Sequence, residues 1–318
     1  PANITSPNLT WNRLFTNPSA ATFLLAAQFG ERTSYVAQWQ TSVQRQLTND
    51  MSLEVTYIGS SGIKLRRLTS YNNPEPRPGN QTANRPFPDL GGFQVMNAPS
   101  HSSYHSLQAK LQHRFSHGIT MLGSYAYGKS IDNGSGVRTT DGDPLTPSDN
   151  YNLAAERGLS AFDFRHRLTT SFLVELPFGK GRKFGIGNPV TNAVLGGWQV
   201  GGILTFQDGF PATAFCGPGN IQNGGGYCKP DAISSEKANL PDDQKSIARF
   251  FNTNAFVDRI GLAPGATPTD FRYGTAGRNT IIGPGIMGID ASINKFFRFF
   301  EDKHSVELRG EFFNLPNR

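Results

Sequence analysis

The chain has 318 residues, a formal charge of +6 and a pI near 9.4, but its Lys and Arg are scattered and form no basic run or basic helix, which argues against a nucleic-acid partner. Its 35 glycines and 21 prolines follow no Gly-X-Y period, and no apolar run reaches the length of a membrane helix. Abundant Gly and Pro together with 24 Phe fit a β-rich protein with large loops.

Residues 1–33 read as irregular, with Phe23-Leu24-Leu25-Ala26-Ala27 as a short helix or buried turn. A first strand is predicted over 34–47. Tyr35, Ala37, Trp39, Val43 and Arg45 fall on one face; Ser34, Gln38, Gln40, Ser42, Gln44 and Gln46 fall on the other, with Val36 as the exception. Thr48-Asn49-Asp50 turns the chain into a second strand, 51–59, whose Met51, Leu53, Val55 and Tyr57 share a face. Residues 60–103 read as a long loop because Pro74, Pro76, Pro78, Pro86 and Pro88 forbid an interior strand, although Gly62 to Arg67 could prolong the strand before it.

The next hairpin is 104–115 and 119–128 around Ser116-His117-Gly118. Leu107, Ala109, Leu111 and Phe115 alternate with Ser106, Gln108, Lys110, Gln112 and Arg114. A second long loop, 129–162, leads to strands 163–176 and 196–207, joined by a glycine-rich connector. The third loop, 208–285, is the longest, and short helices are expected near Asp242 to Phe251. The last hairpin is 286–299 and 304–314, turning at Glu301, Asp302 and Lys303.

Eight strands make four hairpins. Connections 48–50, 116–118, 177–195 and 300–303 are short or moderate, whereas 60–103, 129–162 and 208–285 are all long. Short turns therefore gather on one rim and long loops on the other, as in outer-membrane barrels with short periplasmic turns and longer extracellular loops. One strand face is mostly apolar. The other carries Glu54, Lys110, Arg114, Arg165, Arg167, Glu175, Glu307, Arg309 and Glu311, too many charges for a small dry interior. The expected fold is all-β, an antiparallel transmembrane β-barrel segment whose polar face lines a wide, wet lumen.

Several stretches carry a family resemblance: Tyr35-Val36-Ala37-Gln38-Trp39-Gln40, Leu53-Glu54-Val55-Thr56-Tyr57-Ile58-Gly59-Ser60, and Tyr104-His105-Ser106-Leu107-Gln108. More distinctive are Tyr151-Asn152-Leu153-Ala154-Ala155-Glu156-Arg157-Gly158-Leu159-Ser160, Phe162-Asp163-Phe164-Arg165-His166-Arg167-Leu168, and Glu307-Leu308-Arg309-Gly310-Glu311-Phe312-Phe313-Asn314-Leu315. In this order they resemble the C-terminal part of the barrel of a TonB-dependent outer-membrane receptor. The similarity is greatest to the Oar-like type of Acidobacteria, which carries a carboxypeptidase-regulatory-like domain. The resemblance implies a barrel of about 22 strands, with signal peptide, TonB box, plug and closing strand outside residues 1–318. It also implies energy-coupled uptake of a bulky solute such as an oligosaccharide, peptide or metal chelate, without covalent chemistry. The implied partners are a TonB–ExbB–ExbD complex, the protein's own plug, outer-membrane lipid and an extracellular solute.

Individual residues suggest finer roles. Arg165, Arg167, Glu307, Arg309 and Glu311 are expected to face the lumen or plug through salt bridges, since guanidinium forks clamp carboxylates. Glu156 and Arg157 are expected to fix their loop by a local ion pair. Phe87, Phe93, Phe210 and Tyr227 are candidate ligand-stacking aromatics, the alternative being that they pack the loops together. Cys216 and Cys228 read as a disulfide, with free thiols or a metal site as alternatives. Asp141, Asp143 and Asp149 form an acidic cluster whose spacing is not that of an EF-hand; a solvated loop or a calcium-holding loop would both account for it. His113 and His117 lie four apart, but Arg114 stands where a zinc hydrolase needs glutamate, and no cofactor is expected. A surface adhesin and a soluble carbohydrate-binding module are the competing readings. The module would require the reverse facing pattern, with a dry interior and a polar exterior.

Overall fold

A computed structural model describes residues 24–78, 83–88, 92–137, 144, 146–216, 227–258, 271–299 and 304–316. In chain order the strands are β1 (Leu24–Ala27), β2 (Tyr35–Gln46), β3 (Met51–Ser70), β4 (Phe93–Ser116), β5 (Ile119–Asp132), β6 (Gly158–Leu159), β7 (His166–Glu175) and β8 (Trp198–Gln207). They continue with β9 (Pro211–Ala212), β10 (Asp231–Ala232), β11 (Phe256–Val257), β12 (Ile281–Ile282), β13 (Ile286–Phe299) and β14 (His304–Phe312). A helix, α1, spans Pro189–Leu195 between β7 and β8.

The eight long strands form one antiparallel meander in the order β14-β13-β8-β7-β5-β4-β3-β2. Each strand thus pairs with its neighbour in sequence, as hairpin connections dictate. The strands β2 and β14 are the two ends of this order and do not pair with one another among the described residues.

Cross-strand register shows why these residues make a wall. One row of directly opposed residues runs Val43, Val55, Ala109, Tyr125, Leu168, Phe206 and Met287 across seven strands. The adjacent row, one residue along each strand, runs Gln44, Glu54, Lys110, Ser124, Thr169, Thr205 and Gly288. Successive side chains point to opposite faces, so one face of the sheet is apolar and the other polar and charged. The register holds because a slip of one residue would turn an entire row of apolar side chains to the wrong face.

The main hairpins follow the sequence expectation, with differences at their ends. β3 and β4 have 20 and 24 residues, against about 9–11 needed to cross a bilayer. Both therefore extend far past the apolar band on the long-loop side. The predicted loop 60–103 yields both its ends to β3 and β4, leaving between them 71–92, which holds the five prolines named above, while a sixth, Pro99, lies within β4. Register shifts around Leu65, with Lys64 at φ 56°, let the extension bend. Leu24–Ala27 is a strand rather than a helix or turn, because β4's long upper arm offers a free edge that it joins in parallel. β7 begins at His166, three residues later than predicted, because Asp163 turns back to bond Ser160 and Ser130. The region 242–251 contains only a short 3-10 turn, Asp242–Gln244. The turn at 300–303 lies outside the described residues.

The β4–β5 turn places His117 at φ 52° and Gly118 at φ 80°, the two positive values that a tight type I′ hairpin needs. Gly59 has a different role. A Cβ there would lie 2.2 Å from the indole ring of Trp39, its directly opposed neighbour. The missing side chain lets the indole lie across the strand. Gly59→Ala is expected to destabilise the sheet by about 1–3 kcal/mol, the usual cost of overpacking, and Trp39→Phe in the same background should recover part of it. Urea unfolding of the lipid-inserted protein checks this; equal midpoints for wild type and Gly59→Ala would remove the indole from that position.

Candidate functional site

Two regions of this wall carry polar chemistry: the charged sheet face and the cluster formed by the long loops. On the sheet face, Glu54 stands directly opposite Lys110. Near the β14 edge, Arg309 bridges Glu307 at 2.9 Å and Glu311 at 3.5 Å. These three alternate along one strand, so they share a face and form an ion column. Arg167 lies on the same face, opposite Ala126 and Gln207, with its guanidinium 5.8 Å from the Phe164 ring. Arg165 precedes β7, and its guanidinium lies 5.9 Å from the ring of Tyr127.

The loop cluster is built on buried charge. Arg278 is 1% exposed. It donates from Nε to the Glu156 carbonyl at 2.8 Å, from Nη1 to Ser135 Oγ at 3.2 Å, and from Nη2 to both the carbonyl (2.8 Å) and carboxylate of Asp132. Glu156 is fully buried, and its Oε1 accepts from Lys229 Nζ at 3.0 Å and from the Ser148 N–H at 3.1 Å. Lys229 also reaches the Ala155 carbonyl at 3.4 Å. The buried Arg67 donates to the Asn133 carbonyl, and the Asn133 amide oxygen accepts from the His101 N–H. Asn279 joins the loops again, donating to Leu159 O at 2.7 Å and accepting from Thr213 Oγ1 at 2.9 Å. The second and third long connections and the upper arms of β3, β4 and β5 are thus knotted together.

The pairing of Glu156 corrects the expected local pair with Arg157, which is exposed. Glu156 turns inward to a lysine 73 residues later, where both charges are shielded from water and their attraction is stronger than on a solvated loop. Arg278, Lys229, Asp132 and Arg67 were not singled out from sequence. Their partners lie up to 146 positions away, and no local pattern marks them.

Asp163 closes the entry to β7. Its carboxylate accepts from the Ser130 N–H at 2.5 Å. Burial pushes its pKa above the usual carboxylate value, against the opposing pull of that N–H and of Arg165 and Lys129. Burial likewise raises Tyr151 and Tyr273, aided by the nearby acidic Asp149 and Glu75.

The four candidate aromatics do not converge. Phe87 and Phe93 lie 5.8 Å apart, with Tyr71 stacked 6.5 Å from Phe93. Phe210 packs edge-on to Phe164, and Tyr227 lies against Phe215. None of them lines the cleft of about 400 Å³ beside Phe256, Glu236 and Thr280, nor that of about 370 Å³ beside Tyr125, His166 and Asp208. Cys216 and Cys228 form a disulfide, reinforced by a backbone bond between them. Asp141 and Asp143 lie outside the described residues, and Asp149 accepts from the N–H groups of Tyr151 and Asn152. Among the described residues, no group of three His, Cys, Asp or Glu could hold a metal.

Comparison with known proteins adds to this geometry. The chain matches the outer membrane beta barrel domain family over residues 2–318. No curated protein matches it in sequence. The solved outer membrane transporter YddB from Escherichia coli is similar at TM-score 0.47 and 10% identity, covering 94% of this chain and 31% of its own. The FrpB iron transporter from Neisseria meningitidis, F5-1 variant in apoprotein form, is similar at TM-score 0.39 and 10% identity, covering 93% and 29%. The chain spans about a third of the length of these solved structures.

The buried pairs give two expected outcomes. Lys229→Ala should cost about 3–5 kcal/mol, because it strands a fully buried carboxylate, whereas Lys229→Met with Glu156→Gln should cost far less. Thermal unfolding and trypsin sensitivity of the loops check the comparison, and additive losses would sink it. For Asp163 the pKa is raised, so its stabilising contribution is fully present below the unfolded value and fades as pH rises through the folded one. Asp163→Asn keeps the acceptor for Ser130 and should flatten that dependence. Asp163→Ala should lose about 1–3 kcal/mol by leaving the amide unpaired. Melting curves taken from acid to neutral pH distinguish the two, and identical curves for both variants would refute the assignment.

Proposed function

Because this chain belongs to the outer membrane beta barrel domain family, we propose that it forms part of the lumen wall and outer loops of a TonB-dependent receptor of the Oar-like type of Acidobacteria. The protein resides in the outer membrane. The observation that carries the reading is the two-faced wall. An apolar row and a polar, charge-bearing row run side by side across seven strands, which suits lipid on one side and a wet, plug-filled lumen on the other.

On this reading the chain does no covalent chemistry. The ion column Glu307–Arg309–Glu311 and Arg167 face the plug, which lies outside residues 1–318. Arg165, at the mouth of the wall, belongs with them. The long loops face the exterior and capture a bulky solute such as an oligosaccharide, peptide or metal chelate. The Phe87–Phe93 pair, Phe210 and Tyr227 then act as three separate stacking points rather than as one site. Energy reaches the plug through a TonB–ExbB–ExbD complex.

The test compares cells carrying or lacking the full-length gene, grown on mixtures of oligosaccharides, peptides and chelated metals. One solute class should be depleted from the medium only by cells with the gene, and a protonophore or loss of TonB should abolish that depletion. If depletion is the same with and without the gene while attachment to surfaces falls, the protein is a surface adhesin and the uptake reading is wrong.

A further inference from the structure

The short-turn rim contains one connection unlike the rest. The β2–β3 and β4–β5 turns occupy only a few residues, but β7 and β8 are joined by residues 176–197. This connector is a built unit. Asn188 caps α1 by accepting from the N–H groups of Val190 and Thr191 at 2.9 and 3.2 Å, with Pro189 opening the helix. Asn192 Oδ1 accepts from the Lys180 N–H at 2.8 Å, which binds the glycine-rich loop to the helix. Phe178 and Phe184 stack 5.5 Å apart.

The unit is tied to the apolar side of the sheet. Trp198 and Lys295 oppose each other on the face that carries the apolar row. Trp198 Nε1 donates to the Val194 carbonyl at 2.8 Å. Lys295, almost fully buried, donates to the carbonyls of Val194 and Gly196 and lies 5.2 Å from the Trp198 ring. The helix end therefore sits where the lipid-facing surface meets the short-turn rim.

What the unit leaves uncovered is specific. Val190, Val194 and Leu195 are 75%, 61% and 50% exposed. Val190 and Val194 are four apart and share one helix face. Lys180, Arg182 and Lys183 lie in the loop that Asn192 ties to this helix, and residues 176–197 contain no Asp or Glu. Arg182 pairs with Glu175 at the strand end. One unit that carries both an apolar helix face and an all-cationic loop matches the boundary of a bilayer with anionic headgroups.

We propose that residues 176–197 form an interfacial anchor that docks on anionic phospholipid headgroups of the leaflet bordering the short-turn rim. The valines and Leu195 enter the acyl boundary while Lys180 and Lys183 meet phosphate. Lipid is favoured over a protein partner because the unit continues the lipid-facing surface and its charge is of one sign. The proposal rests on membrane placement and not on transport.

Hydrogen exchange of the full-length protein in nanodiscs tests it, using phosphatidylcholine alone or with phosphatidylglycerol. Amides of 190–195 should exchange at least about fivefold more slowly with phosphatidylglycerol, the preference expected from one surface lysine. The difference should vanish in Lys180→Gln/Lys183→Gln, with β8 amides unchanged as the folding control. Equal exchange in both lipids overturns the proposal. So does equal protection in detergent, which would mean that a protein segment covers the helix.

Discussion

A backbone that crosses lipid finds no water for its amides, so each spanning strand must pair along its length with neighbours, and this requirement organises the chain. Pairing in sequence order produces the meander from β2 to β14. Pairing in fixed register then sorts side chains into rows, because alternate residues face opposite sides. The apolar row through Val43 and Met287 and the charged row through Glu54 and Lys110 are two consequences of one set of backbone bonds. Side-chain chemistry chooses the register, and the backbone imposes it on every strand at once.

The sheet was legible in the sequence because its signal is local. Alternation from Tyr35 to Gln46 identifies a strand without reference to any other part of the chain. Strand ends were less legible for a physical reason. Above the bilayer, β3 and β4 keep pairing although their residues no longer alternate cleanly, so Gly62 to Ser70 and Phe93 to Ser103 carry little periodic signal. Pairing persists there because the partner arm is already in place. The same circumstance turned Leu24–Ala27 into a strand: an available edge, not its own pattern, decided its conformation.

The loop cluster was hardly legible at all. Glu156 was visible as part of a distinctive stretch, but its partner Lys229 sits in an unrelated loop just beyond Cys228. Arg278 reaches Asp132 across 146 positions. Such contacts depend on how long connections fold over a common rim, which composition and spacing do not encode. The disulfide was legible because its two cysteines are only 12 apart and need no knowledge of the rest of the fold.

The two kinds of polar group in this protein do different jobs. Charges on the sheet face, such as Arg309 between Glu307 and Glu311, are largely exposed and cheap to rearrange. Charges in the loop cluster are buried and have multiple partners, so moving one would strand another. Among the described residues the buried apolar side chains are few and outnumbered by buried polar ones, so hydrogen bonds and ion pairs, more than an oily core, fix the shape of this rim. A rim held this way has little freedom left to lose when something binds to it, which favours a preformed outer surface over one ordered by its ligand. On the uptake reading, motion during transport then falls to the plug and to its contacts with the exposed sheet-face charges, while the loop cluster keeps the entrance in one shape.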